Sequence, residues 1–571
     1  TQESLPTAAQ NISHFDDYLF YEPELFNILN IDRNGGSGRF WYGDRFDLEL
    51  QKTYRHQLEG LLPGSQLVLT SAVMGQFYIA TEFTLAINGQ NIGTQILPPI
   101  NTGTYEFQGA NQVQTFVLNI NDANFELRYS LNRNGQFRRA YLDYYRLQYK
   151  RSLRLYGQST VFRSIESLNS PSTEYVVAGN FADMQIWDIT APLQPRRQAF
   201  QQEATQLRFR AASTELKEFL LWRNGVAYPL PRLLGAVANQ DLHGLEVPNM
   251  VIVTAPDFWA EAERLAAFRR SYDGLQVLVV SPQQIYNEFS AGRQDVSAIR
   301  NFLKMLYDRQ PDKLRYLLLF GAASFDYKDR VQNNRNLVPI YESRESLHPI
   351  YSYSSDDYFG FLEDNEGEWI ETIFTNNPFD HTLEIGVGRL PVKNTQEAAQ
   401  MVDKLIYYST SPDKFGAWRN WLTFVADDAD FNLHQRDANN LSLIVENNHP
   451  QYNIRKIYLD AFPQALTPAG EQSPETREAI RKAMEQGSLI LNYTGHGGEV
   501  GWAEEAILRI EDIQAWRNRV YPLIVTATCE FGRYDEPGIV SGAEQTLLLP
   551  QSGAIALITT TRPVFSSTNF L

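Results

Sequence analysis

Along roughly the first 240 residues, apolar and polar positions alternate with a period of two. RFDLELQ, SQLVLTSAVM, QFYIATEFTLAIN, QTFVLNIN, FELRYSLN and AYLDYYRLQYKRSLRLY each carry that alternation, with Gly, Asn and Pro between them. Side chains along a strand point to opposite faces in turn, so each segment reads as a half-buried strand. A series of short strands without intervening helical patterns predicts an all-β, sandwich-like domain of jelly-roll type over residues 1–152. STEYVVAG, MQIWDIT, TQLRFRAAS and KEFLLWR continue the pattern as a second β-rich unit and linker over residues 153–244.

The pattern changes at Asn249. Met250 to Val253 reads as a buried strand, and Pro256 with Asp257 opens a helix whose apolar residues Phe258, Ala262, Leu265, Ala266 and Phe268 recur at helical spacing. Leu275 to Val280 is the next strand. Asp295 caps a helix with Ile299, Phe302, Leu303 and Leu306 on one face, and Tyr316 to Phe320 is again a strand. Ile385 to Val387 predicts a short strand, and Asn394 with Glu397 starts a helix through Tyr408. Strands alternating with helices build parallel sheets, which predicts an α/β subdomain over residues 245–412.

Residues 413–571 follow the same scheme. Trp421 to Ala426 and Ile454 to Leu459 read as strands, and Ser473, Pro474 and Gly487 bracket a helix. Ser488 to Tyr493 and Tyr521 to Thr528 are two further apolar runs, separated by a helix-length segment from Ile510 to Arg517. A helix from Ser541 to Leu549 and a strand from Ala554 to Thr559 complete the series. The expected fold is therefore multidomain: an N-terminal all-β region followed by an α/β domain with two parallel-sheet subdomains. Phe570 and Leu571 come soon after a strand and loop, where such a domain adds a covering helix, so the second subdomain is expected to be truncated at its C-terminal end.

Composition narrows the function. A chain of 571 residues exceeds one hydrophobic core, in keeping with several domains. With 67 acidic against 50 basic residues the net charge is −17, which argues against a nucleic-acid surface, since phosphates require clustered Lys and Arg. A single cysteine excludes an internal disulfide framework. The start TQESLPTAAQ lacks the basic and apolar segments of a signal peptide and reads as a processed terminus. No apolar run approaches the ~20 residues of a membrane span, so a membrane location requires a partner or lipid.

Candidate chemistry lies at the ends of two strands. Parallel strands joined by a right-handed crossover sit side by side with their carboxyl ends at one edge, where ligands bind in open α/β sheets. His496, flanked by Gly495 and Gly497, follows the first run of this pair, and Cys529 follows the second. A thiol and an imidazole at neighbouring strand ends supply a nucleophile and a proton carrier for acyl transfer through a thioester. The acidic residues Asp427, Asp428 and Asp430 follow the first strand of the same subdomain, which places them at the same edge to orient the imidazole, or leaves them as a solvated turn. His434 and Glu530 are nearby in sequence and are assigned no role. Trp41, Tyr42, Tyr141, Tyr144 and Tyr145 offer a glycan-binding surface or simply cross-strand packing.

The motif NYTGHG, followed by an apolar strand ending in Cys, resembles the gingipain-type cysteine peptidases, which share the caspase-like fold. YPLIVTATCEFGRYDEPGIVSGAEQ, GAIALITTTRP, APDFWAEAERLAAFRRSYDGLQVLVV, QQIYNEFSAGRQDVSAIRNFLKMLYDR and IGVGRLPVKN are similar to the branch of that family that acts as the sortase of the type IX secretion system. The resemblance implies Cys529 as nucleophile, His496 as proton carrier, and the N–H groups of Gly497 and Cys529 as the oxyanion hole. It aligns Asp428 best with the acidic partner of the histidine, with Asp427 fitting almost as well. The position of the acidic residue behind arginine specificity falls near Asn432. The resemblance further implies cargo proteins bearing C-terminal signal domains as substrates, an anionic lipopolysaccharide as acceptor, and a PorV-like outer-membrane β-barrel as partner at the cell surface. No cofactor is needed for the chemistry. The resemblance leaves a structural calcium as an option, with Asp326 and Asp329, or Asp356, Asp357, Glu363 and Asp364, as the oxygen-rich candidates.

Overall fold

The computed structural model describes residues 1–33, 35–179, 183–233, 235–367, 369, 381–468 and 470–566. The chain divides into two units, Thr1–Phe26 with Trp41–Val237, and Asn27–Phe40 with Ala238–Leu571.

The first unit contains two β arrangements. His14–Tyr21, Ala140–Ser152, Ser65–Gly75 and Ala110–Ile120 pair in that order, all antiparallel. Gln51–Gln57, Asn124–Asn132, Thr81–Ile87 and Gln90–Leu97 form another antiparallel sheet. Their alternating apolar residues, among them Leu67, Leu69, Phe83, Leu85, Leu127, Tyr129 and Leu147, share one core, as the period of two requires. Trp41, Tyr42, Tyr141 and Tyr145 are buried, so packing accounts for four of the five aromatics considered for glycan binding. Tyr144 is half-buried, its ring 5.4 Å from that of Phe20.

The second β arrangement departs from the expected boundary at residue 152. Gln10–Ile12 pairs in parallel with Ser172–Ala178, beside Gln206–Ala212, so the start of the chain joins the later β-rich unit. Gln10 fixes this strand by donating from Nε2 to the carbonyls of Glu166 and Ser167 and to Thr173 Oγ1. Phe162, Tyr175, Phe209 and Phe219 form an aromatic core between this sheet and the one containing Ser159–Phe162 and Phe219–Arg223.

The second unit is α/β with two parallel sheets. In the first, Val277–Val280, Met250–Thr254, Tyr316–Phe320 and Gly386–Leu390 lie side by side in that order. Val251 and Val253 pack with Ile299, Phe302, Leu303 and Leu306, whereas Ile252 packs with Ala262, Leu265, Ala266 and Met401. Helices therefore cover both faces, which explains the uninterrupted apolar run of a central parallel strand. The second sheet comprises β1 (Trp421–Ala426), β2 (Asn453–Tyr458), β3 (Ile490–Thr494), β4 (Leu523–Ala527) and β5 (Ala556–Ile558), in the order β2-β1-β3-β4-β5 and all parallel. Residues 27–40 belong to this unit because their backbone is built into it. Gly36 N–H donates to Glu536, its carbonyl accepts from Arg533, and Gly38 N–H donates to Glu342.

Candidate active site

Register fixes where the two reactive residues emerge. Thr494 at the end of β3 pairs with Ala527 at the end of β4. His496 and Cys529 each follow two residues later, and the Gly495 N–H still donates to the Ala527 carbonyl at 3.2 Å. Adjacent strands run about 4.8 Å apart, so the two segments leave the sheet as neighbours. Gly497 confirms the contact: a Cβ there would lie 2.6 Å from Thr528 Oγ1. Glycine suits that position because the Thr528 side chain of the neighbouring loop and the Gly501 carbonyl, 2.9 Å from the same Cβ, leave no room for a side chain.

The backbone of His496 is held from both sides. Its N–H donates to Asp427 Oδ2 at 2.9 Å, and its carbonyl accepts from the Tyr493 hydroxyl at 2.5 Å and from Ala503 N–H at 2.9 Å. Asp427 is buried just past β1, and the fully buried Tyr493 stacks on Trp502 with ring centroids 4.3 Å apart. The imidazole projects into a half-exposed space and meets Asp430, with Nε2 3.1 Å from Oδ2. A carboxylate accepts only, so Nε2 carries the proton in the neutral ring, and Nδ1 keeps the lone pair.

The acidic cluster therefore divides its work differently from the expectation that placed Asp428 against the ring. Asp428 instead accepts from Gln464 Nε2 at 2.6 Å and stands beside Asp460, whose carboxyl is pushed up by burial and by that neighbouring charge. Asp430 reaches the ring because Asp430, Phe431 and Asn432 all adopt left-handed backbone, with φ of 54°, 56° and 61°. Such a turn at three successive non-glycine residues is costly, and functional sites are where it concentrates. It kinks the start of the helix Ala429–Asn448. His434, on the same helix, lies edge-on to His496 with ring centroids 4.9 Å apart. Burial, and then the His496 charge, lower its affinity for a proton.

Cys529 is half-buried, and its Sγ lies 3.7 Å from the Val564 carbonyl. Burial pushes the thiol above its ordinary value, with the Glu530 charge adding to the effect. At rest the sulfur holds its proton and needs a base to attack. Glu530 has φ of 56°, so the chain turns sharply immediately after the sulfur. A cleft of about 400 Å³ opens beside His496, lined by Gly497, Val500, Trp502, Ala503 and Leu508.

Charges behind the thiol anchor the loop that carries it, a contribution the sequence reading missed. Arg533 bonds Glu530 at 2.9 Å and the Gly36 carbonyl at 2.8 Å. Asp535, fully buried, takes two bonds from Arg562, at 2.9 and 2.5 Å. The crowding of charged residues in CEFGRYDEPG was the available signal. Three of the six acidic residues considered for calcium have protein partners: Asp326 accepts from the N–H of Val331 and from Arg330, Asp356 takes two bonds from Arg389, and Asp364 meets Lys304. Calcium at these carboxylates would have to displace cationic or N–H donors.

Comparison with known proteins adds to this geometry. The model of peptidase family C25 matches residues 243–571. Gingipain R2 and gingipain R1 of Porphyromonas gingivalis are each 20% identical over 294 residues, covering 50% of this chain and 32% and 24% of theirs. The chain thus spans about a third or less of these curated relatives. The solved structure of dimeric latent PorU from the same species is similar over 89% of this chain and 44% of that chain, at 24% identity and a TM-score of 0.59, which shows a shared fold. The Arg-specific cysteine proteinase gingipain R is 19% identical, with 58% of this chain and 67% of that chain covered and a TM-score of 0.41.

Proposed function

Since the chain belongs to peptidase family C25, the gingipain-type cysteine peptidases, we propose that it cleaves peptide bonds through a thioester on Cys529. The observation that carries this reading is the equal register of His496 and Cys529 beyond paired strands. His496 Nδ1 takes the thiol proton as sulfur attacks the scissile carbonyl. N–H groups of Gly497 and Cys529 receive the oxyanion, the C–N bond breaks, and the imidazolium returns the proton to the departing amine. Asp430 holds the ring in the tautomer that performs both transfers.

The substrate reading goes further. The protein acts at the cell surface as a type IX secretion sortase, removing C-terminal signal domains from cargo and passing the acyl group to the amine of an anionic lipopolysaccharide. An outer-membrane β-barrel of PorV kind holds it there. Support comes from the sequence segments shared with that branch and from likeness to PorU that extends through the β-rich unit. Among the described residues no helix is long and apolar enough to cross a membrane, in keeping with attachment through a partner. Mass spectrometry of cargo incubated with the protein and an amine acceptor tests the reading. New amide bonds at the cleaved carboxyl end are expected; only free carboxyl ends, with acceptor in excess, would reduce it to a hydrolytic endopeptidase. Cargo processing unchanged by Cys529→Ala would leave a non-catalytic surface scaffold.

A further inference from the structure

Beside His496 stands a second imidazole whose nitrogen has no hydrogen-bond partner. His434 is 5% exposed, and its Nε2 makes no hydrogen bond although it lies 3.4 Å from Asp430 Oδ2. The same carboxylate oxygen is 3.1 Å from His496 Nε2, and one donor atom from each of the three residues falls within 4.8 Å of the others. Buried polar atoms left unmatched are destabilising, and one aimed at two other donor groups points to a ligand between them. The two separations from Asp430 suit a metal, since ligands at about 2.0–2.2 Å from a tetrahedral zinc stand roughly 3.3–3.5 Å from each other, and the two rings close the triangle within 4.8 Å.

We propose that His434, His496 and Asp430 bind a divalent transition-metal ion of the zinc type, with a fourth position left to water. Two imidazoles and one carboxylate favour zinc over calcium or magnesium, which prefer all-oxygen sites. The left-handed turn at Asp430 presents its carboxylate to both rings, so the site is largely formed before metal arrives. The consequence for catalysis rests on the peptidase reading above. Metal at Nε2 of His496 removes the proton from that nitrogen, and Nδ1 takes one up, so the neutral ring no longer has a lone pair for the thiol proton. Occupancy switches the enzyme off reversibly.

Zinc binding to the full chain carrying Cys529→Ala decides the matter without reference to activity, since the thiol is gone. Calorimetric titration with Zn²⁺ is expected to give one site, and Co²⁺ to give the visible absorption of tetrahedral nitrogen and oxygen coordination. His434→Gln and His496→Ala, each added separately, are expected to weaken binding at least tenfold. His496 is half-exposed, so its removal tests the site even if the His434 variant loses its circular dichroism. Binding that persists in both variants, or that is lost with Glu505→Gln in the neighbouring Asp427, Asp428 and Glu505 group, overturns the assignment. In the wild type, Zn²⁺ at the filling concentration is expected to slow alkylation of Cys529 by a peptidyl acyloxymethyl ketone, in which the sulfur displaces the carboxylate to form a thioether, with the slowing ratio falling toward one in His434→Gln. An equal ratio in both proteins refutes the switch. Failure of the metal-free wild type to be labelled by the ketone would count against the peptidase reading while leaving the titration to decide the site.

Discussion

Replacing Asp430 by Asn removes one negative charge from the imidazole and changes little else, because Asn tolerates the left-handed backbone that Asp430 occupies. A hydrogen bond to a charged group contributes about 1.5–3 kcal/mol when shielded from water. The His496 and Asp430 side chains are 46% and 53% exposed, so solvent screening reduces the contribution to roughly 0.5–1.5 kcal/mol. At about 1.4 kcal/mol per factor of ten, attack by Cys529 on an electrophilic peptidyl ketone is expected to slow about 2- to 12-fold. Asp428→Asn, whose carboxylate engages Gln464, is expected to stay within about twofold of wild type by the same reasoning. The assay is the second-order rate of labelling by a peptidyl acyloxymethyl ketone, followed by intact mass at several pH values. Slow labelling by the Asp428 variant with normal labelling by the Asp430 variant would refute the assignment of ring partner.

Alkylation of Cys529 by iodoacetamide is expected to rise with pH to a midpoint above the ~8.5 of a free thiol, because burial disfavours the thiolate; Glu530→Gln is expected to move that midpoint down, and a midpoint below the free value contradicts the burial argument. Gly497→Ala pushes a methyl group to 2.6 Å from Thr528 Oγ1 and 2.9 Å from the Gly501 carbonyl. Labelling should fall by roughly 10- to 100-fold as the two loops separate, whereas Gly498→Ala, with open space around its Cβ, serves as the unaffected control. Arg389→Ala strands Asp356 and the carbonyls of Gly321, Val338 and Pro339. A loss of about 3–5 kcal/mol in urea unfolding of the α/β unit is expected for a buried charge left unpaired.

Much of the α/β unit was legible because its elements announce themselves locally. Val251 to Val253 and Leu489 to Leu491 are apolar runs, and caps such as Asp295 and Asn394 accept backbone N–H groups where the sequence places them. The βαβ logic placed His496 and Cys529 together because strand adjacency follows from connection length alone. That Asp430, of the three acidic residues at that edge, meets the ring was not legible. Its position depends on left-handed backbone at Phe431, a residue with no preference for it, and the helix Ala429–Asn448 that starts there went unpredicted. Residues 27–40 escaped for a different reason: their hydrogen bonds span 300 to 500 positions, and nothing in NGGSG names its distant acceptors.

Those residues make the peptidase portion discontinuous along the chain. The polypeptide runs through the β-rich unit, visits the α/β unit for fourteen residues, returns, and only then completes the second fold. A fragment beginning at Ala238 would leave Glu536, Arg533 and Arg562 facing solvent where partners from Gly36 and Ser37 now sit. Such a fragment is expected to behave as half of a complementation pair, regaining stability to urea when a synthetic peptide of residues 27–40 is supplied in trans. Trimming the N-terminal region away to obtain a minimal protease therefore removes an internal part of the machine.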